Sequence, residues 1–148
     1  MTVLVGPGLE PSFVDATLAR FSGRRLDARA FALAYRVLLI RAGNGVAVDL
    51  ALGGTGFEVE SVRRSTTWEI EPGRHVPTCP AEELIVHKLI AGRPRDVADL
   101  DGIVRRQAGQ LDVELIRRWV AGFADVLENP DLGRPLERAL GEARRRTP

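Results

Sequence analysis

Between Lys88 and Asp99 the sequence carries an ammonium group (Lys88), two guanidinium groups (Arg93 and Arg95) and two carboxylates (Asp96 and Asp99). Cations of this kind grip phosphates, and neighbouring carboxylates hold a cation or orient a base. Their setting is what singles them out. Gly92 and Pro94 divide the stretch into two helices. On the second helix Val97, Leu100, Ile103 and Val104 recur at helical spacing as an apolar stripe. At about 100° per residue, Asp96 falls inside that stripe and Asp99 at its edge. On the first helix Lys88 projects between Leu84 and Ile85. An unpaired charge on a core-facing surface is costly, so such groups persist when they are paired or used.

A further carboxylate, Asp49, sits in the middle of a strand, where Asp is depleted. Its same-face neighbours, Ala47 and Ala51, leave room for a ligand. A solvated face of an antiparallel sheet accommodates such an Asp equally well. The Lys88, Arg93, Arg95, Asp96 and Asp99 group also fits an internal ion-pair knot that locks two helices together. These readings are compatible, because a polar knot can line a pocket.

Other candidates read more plainly. His75 and His87 lack ligand spacing, and Cys79 reads as a small apolar filler. Trp68 and Trp119 read as core or interface anchors. The Gly6-Pro7-Gly8 turn lacks the Gly-Lys-Ser/Thr ending of a phosphate loop.

The elements that must position these groups follow from patterning. Residues 2–5 form a strand stopped by Gly6-Pro7-Gly8. A helix follows with Pro11 near its first turn and Val14, Leu18 and Phe21 on one face. A second helical stretch over about 27–34 is capped by Asp27. The strands 37–42 and 46–52 are joined by Gly43-Asn44-Gly45, whose residues accept positive φ. The first of these is apolar throughout and so central. The second alternates, with Val46, Val48, Leu50 and Leu52 on one face and Ala47, Asp49 and Ala51 on the other.

A short helix spans 57–64, and a second hairpin turns at Glu71-Pro72-Gly73. Helices then run over about 80–91, 95–107, 112–127 and 131–145, with Cys79 as cap of the first, Pro80 leading it, and Arg144 to Arg146 as a frayed end. The expected architecture is α+β: a mixed sheet with flanking helices, then a C-terminal helical lobe. One domain is expected, with lobes at 1–78 and 79–148.

With 148 residues, 45% hydrophobic and 28% charged, the chain can bury a core and is not of disordered composition. A net charge of +1 neither demands nor excludes nucleic acid. A single cysteine rules out an internal disulfide and fits a reducing cytoplasm. No apolar run approaches the ~20 residues that span a bilayer, and the start lacks the basic flank of a signal peptide.

The block from Pro80 through Lys88 to Arg95-Asp96-Val97-Ala98-Asp99-Leu100 resembles a recurring piece of bacterial nucleotidyltransferase-like proteins. These are relatives of the AbiEii-type abortive-infection toxins and of minimal nucleotidyltransferases. Their pattern is a helix bearing Lys, then Arg-Asp-x-x-Asp on the next helix. The stretch from Arg36 to Glu58, with Val48-Asp49-Leu50 and Gly56-Phe57-Glu58, resembles the same family's third-carboxylate strand. The resemblance covers about residues 2–127.

It implies an incomplete nucleotidyltransferase-type mixed sheet and nucleotidyl transfer with Mg²⁺ and a nucleoside triphosphate. Asp49 matches the third metal carboxylate. Lys88 matches the helix lysine that contacts the triphosphate. Asp96 and Asp99 match the acidic pair that orients that lysine and shapes the pocket, and Arg93 and Arg95 add nucleotide contacts. An RNA or protein acceptor, an antitoxin partner and a homodimer are further implications.

One departure is large. The family's opening signature, a Gly-Gly or Gly-Ser turn followed by Asp-x-Asp, has no counterpart here; it belongs just before Thr2-Val3-Leu4-Val5. The expectation is either a truncated form of a longer protein or a degenerate relative that lost its chemistry. One carboxylate holds two Mg²⁺ ions poorly, so this polypeptide is expected to be inactive by itself. The alternatives are a non-catalytic interaction or dimerisation module of the same fold, and a helical scaffold whose charged knot is structural. An in-frame Asp-x-Asp upstream of the start codon would favour the enzyme. A common cleft for Asp49, Lys88 and Asp96 is the spatial expectation.

Overall fold

The computed structural model describes residues 1–107 and 109–146. The fold is α+β with a C-terminal helical region. It divides into two compact units, Met1–Arg64 and Ser65–Pro148. That boundary precedes the second hairpin, so the hairpin goes with the helices and not with the front lobe over 1–78.

The first unit runs β1 (Thr2–Leu4), α1 (Glu10–Leu18), β2 (Ser22–Gly23), α2 (Ala28–Tyr35), β3 (Val37–Arg41), β4 (Ala47–Gly53) and α3 (Gly56–Arg63). The sheet order is β1-β4-β3-β2. β1 is parallel to β4, and the other pairings are antiparallel. Val14 of α1 and Ala32 of α2 pack with Leu38, Ile40, Leu50 and Leu52, which all leave one face of the sheet. The period-two alternation of β4 therefore decides which face is core and sends Asp49 to the other.

Two local devices fix the C-terminal end of β4. Arg36 caps α2 in the left-handed region (φ 55°). Its Nε donates to the Leu52 carbonyl at 2.9 Å, and its Nη1 to Glu10 Oε1 at 3.0 Å. Glycine at position 54 leaves room for this guanidinium, since a Cβ there would lie 2.9 Å from Arg36 Nη2 and the arginine tip would have to shift. Beyond it Thr55 and Glu58 form a capping box that starts α3.

The second unit runs β5 (Thr66–Glu71), β6 (Arg74–Thr78), α4 (Ala81–Ala91), α5 (Pro94–Arg106), α6 (Val113–Val126) and α7 (Arg134–Arg146). Ile85, Val86, Leu89, Leu100, Val104, Ile116, Val120 and Leu136 are among its buried side chains. Arg117 ties α6 to α7 by two parallel bonds to Glu137, at 2.8 and 2.9 Å. No helix among the described residues is long and apolar enough to cross a membrane.

Several sequence expectations change. α1 ends at Leu18, and Phe21 lies beyond it, exposed. Asp27 stands at the N-cap of α2, but its carboxylate is taken by Arg25 and makes no cap bond. β2 is too short to have a periodicity and was not foreseen. Val46 precedes β4 and is exposed. Pro80, not Cys79, caps α4, and Cys79 is exposed and not a core filler. Leu84 points outward while Ile85, Val86 and Leu89 make the buried side of α4. The helix α7 spans Arg134–Arg146, where the sequence reading gives 131–145.

Candidate functional site

Lys88 sits in the last turn of α4, which stops at Gly92 in the left-handed conformation (φ 59°). Pro94 then opens α5 with its ring preset for the first turn. This tight reversal returns the chain so that the first turn of α5 faces Lys88. The Lys88 ammonium donates to Asp96 Oδ1 at 3.3 Å and to Asp99 Oδ2 at 2.6 Å. Arg93 Nε donates to the other oxygen of Asp96 at 2.8 Å. Asp96 is buried among the apolar residues of α5, whereas the Asp99 side chain is 59% exposed. The helical register read from sequence is therefore the one observed.

The electrostatics follow from these contacts. Burial pushes the Asp96 carboxyl up, but the Lys88 bond and the charges of Arg93 and Lys88 outweigh it and hold it below its ordinary value. The Asp99 bond raises the Lys88 pKa, burial opposes this, and Asp96 adds to the rise. Two cations and two anions thus form a closed, hydrogen-bonded set. Arg95 is exposed and takes no part in it. Beside Asp99 a cavity of about 320 Å³ opens between α5 and α7, lined by Asp101, Arg105, Arg106 and Glu142 among others. Asp101 Oδ1 is buried there without a hydrogen-bond partner among the described residues. These lining residues lay outside the sequence reading, because α7 reaches α5 only through the tertiary fold.

Asp49 belongs to the first unit and the Lys88 cluster to the second. On β4 Asp49 is 66% exposed and forms an ion pair with Arg24. Sequence reasoning missed Arg24, which follows the two-residue strand β2. The register explains the meeting. Leu39 of β3 lies opposite Asp49, and Arg24 N donates to the Leu39 carbonyl at 3.0 Å. Arg24, Leu39 and Asp49 thus stand in one row across three strands, and the long arginine side chain spans the row. The Met1 ammonium donates to the Asp49 carbonyl at 2.9 Å, and Thr2 pairs with Ala51. The head of β1 therefore lies beside Asp49.

The family resemblance implies divalent metal at Asp49. The residues present do not fit a metal pair. Asp49 already carries a guanidinium partner, and among the described residues no group of three His, Cys, Asp or Glu side chains is placed to hold an ion. His75 and His87 lie apart on β6 and α4. No family model matches the chain, and no curated protein matches it.

Proposed function

We propose that the chain is a bacterial nucleotidyltransferase-like protein of the abortive-infection toxin type, acting in the cytoplasm. In this reading Asp49 is the third metal carboxylate. Lys88, with Arg93, Arg95 and Asp99, contacts a nucleoside triphosphate, and Asp96 fixes the lysine. The observation that carries the reading is the parallel register of β1 on β4, which puts the head of β1 beside Asp49. In the family that strand head bears the Asp-x-Asp pair. The Lys88–Asp96–Asp99 contacts add support, since the family pattern pairs a helix lysine with that acidic motif. The residues of this chain supply one carboxylate at that place, so the 148-residue polypeptide does not transfer nucleotides by itself. The acceptor is an RNA or a protein, and an antitoxin is the expected regulatory partner.

The test compares two proteins for incorporation of label from α-labelled nucleoside triphosphates with Mg²⁺. One is the chain itself; the other carries a Gly-Ser turn and Asp-x-Asp joined ahead of Thr2. The expected result is no transfer by the first, and transfer by the second that is lost with Asp49→Ala or Lys88→Ala. Transfer by the second that survives both substitutions overturns the site, and transfer by neither overturns the function.

A second reading, a non-catalytic interaction or homodimerisation module, is favoured by the β5–β6 hairpin. Trp68 and Val76 face each other across it and, with Ile70, are exposed (64%, 39% and 63%). Its edges resist strand addition, through Pro77 on β6 and an irregular register at Ile70 on β5. Partners would therefore meet its face.

A further inference from the structure

We infer that the first unit holds a ligand site of its own: the cavity at the C-terminal ends of β1 and β4 takes a flat, uncharged ring by a lactam edge, a carbonyl beside an N–H. Gly53 on its rim lies about 13 Å along β4 from Asp49, four residues at ~3.3 Å each. The site is therefore separate from Asp49 and does not draw on any metal there.

The cavity follows from the topology. β1 and β4 run parallel, and each leaves the sheet through a glycine-bearing turn into a helix, Gly6-Pro7-Gly8 into α1 and Gly53-Gly54 into α3. Parallel strands that end this way leave a crevice beyond their C-termini, a common place for ligands. Here it encloses about 650 Å³, within the range of small-molecule pockets. Leu4, Val5, Pro7 and Val59 supply apolar walls. Leu4 and Val59 are each 42% exposed, so the fold leaves apolar surface that a ring would cover. At Gly53 and Gly54 the backbone is bare, which lets a flat face lie close.

The polar end is the Arg36–Glu10 pair. Arg36 is held in the left-handed region, which a residue with a large side chain enters at a cost. Of its five guanidinium N–H groups, three are used, by the Leu52 carbonyl at 2.9 Å, Glu10 Oε1 at 3.0 Å and the Gly53 carbonyl at 3.5 Å. The others have no bond among the described residues. Glu10 is held below its ordinary value by its own amide and by the Arg36 bond, so its carboxylate stays ionised and can only accept. A spare donor and an acceptor thus sit on one ion pair, whose atoms meet at 3.0 Å. The edge that complements them is an acceptor beside a donor, which a lactam presents.

Charge decides against an ion. An anion would face the carboxylates of Glu10 and of Glu58, which closes the start of α3. A cation would face Arg36 and the positive N-termini of α1 and α3. A neutral ring meets neither penalty.

The experiment titrates 2-quinolone, a bicyclic lactam, into the isotope-labelled full chain and follows the amides of Gly53, Gly54 and Thr55 and the Arg36 Nε–H resonance. Saturable shifts of all of them are expected. N-methyl-2-quinolone lacks the donor and should bind about tenfold more weakly, leaving a charged acceptor without its partner. 2-Naphthoate, an anion of similar size, should bind more weakly than 2-quinolone. Val59→Trp fills the cavity without touching the ion pair and should abolish the shifts with the melting temperature retained. Arg36→Met should abolish them too, with circular dichroism reading the fold; if that variant unfolds, Val59→Trp and the analogue series decide. Absence of a saturable shift at millimolar 2-quinolone overturns the inference. Equal binding of the N-methyl analogue, tighter binding of 2-naphthoate, or binding that survives Val59→Trp does the same. None of these readouts uses nucleotide transfer, so the site stands or falls apart from the proposed activity.

Discussion

Lys88 and Asp96 meet at 3.3 Å across the Gly92–Pro94 break, joining the end of one helix to the start of the next. Asp96 is buried, so its charge is tolerated only because Lys88 and Arg93 share it. Either single loss strands a charge on an apolar helix face. Lys88→Met and Asp96→Asn should each lower the urea midpoint, and the double variant should lose less than the sum. Asp99→Asn should cost least, because its carboxylate is mostly in water. Strict additivity in such a cycle would show that the two residues do not share an interaction.

The same contacts give stability a pH signature. Asp96 and Glu137 are held below their ordinary values of 3.8 and 4.5, the latter chiefly by the Arg117 bonds. Their contribution is complete above those ordinary values and is lost as pH falls through the lower folded ones. Lys88 works in the opposite sense. Its folded pKa lies above 10.5, so its contribution is intact below that value and is lost as pH rises through the folded one. Thermal melts should therefore hold a plateau between these limits. In an Asp96→Asn variant the acid limb should flatten, and an unchanged limb would remove Asp96 from the account.

Mg²⁺ with a nucleoside triphosphate should leave the melting temperature of the 148-residue chain unchanged, since Asp49 is engaged by Arg24 and Lys88 by two aspartates. Differential scanning fluorimetry at millimolar ligand reads this directly. A dose-dependent rise in melting temperature would show that these residues already suffice to bind the complex.

Hydrophobic residues in the second unit should divide sharply by position. Leu100 is fully buried, and Leu100→Ala should cost about 2–5 kcal/mol in chemical denaturation. Trp68 is 64% exposed on the hairpin, and Trp68→Thr should change stability by about 0.5 kcal/mol or less. If the hairpin face binds a second copy, the same Trp68→Thr change should shift sedimentation toward monomer at high concentration. Identical sedimentation of both proteins would remove the face as a dimer contact.

Thr55 tests the first unit locally. Its hydroxyl accepts the Glu58 amide at 3.2 Å, and Glu58 returns the contact to the Thr55 amide at 3.0 Å. Thr55→Ala should cost about 0.5–2 kcal/mol and speed amide exchange in the first turn of α3.

By itself the sequence determined the local order of this protein. Helix periodicity placed Asp96 inside an apolar stripe and Asp99 at its edge, and the Gly92–Pro94 break set Lys88 against them. Gly-Asn-Gly and Pro-Gly turns located both hairpins, and the alternation of β4 chose the outward face for Asp49. These are contacts between near neighbours, whose geometry is fixed by 3.6- and two-residue repeats. What only the tertiary structure decided is long-range. The parallel seat of β1 on β4, the pairing of Arg24 with Asp49 and the Arg117–Glu137 clamp each join segments whose separation no repeat encodes. Their partners are chosen by chain topology and by the closing of a core, and a two-residue strand such as β2 has no periodicity to announce where its next side chain will land.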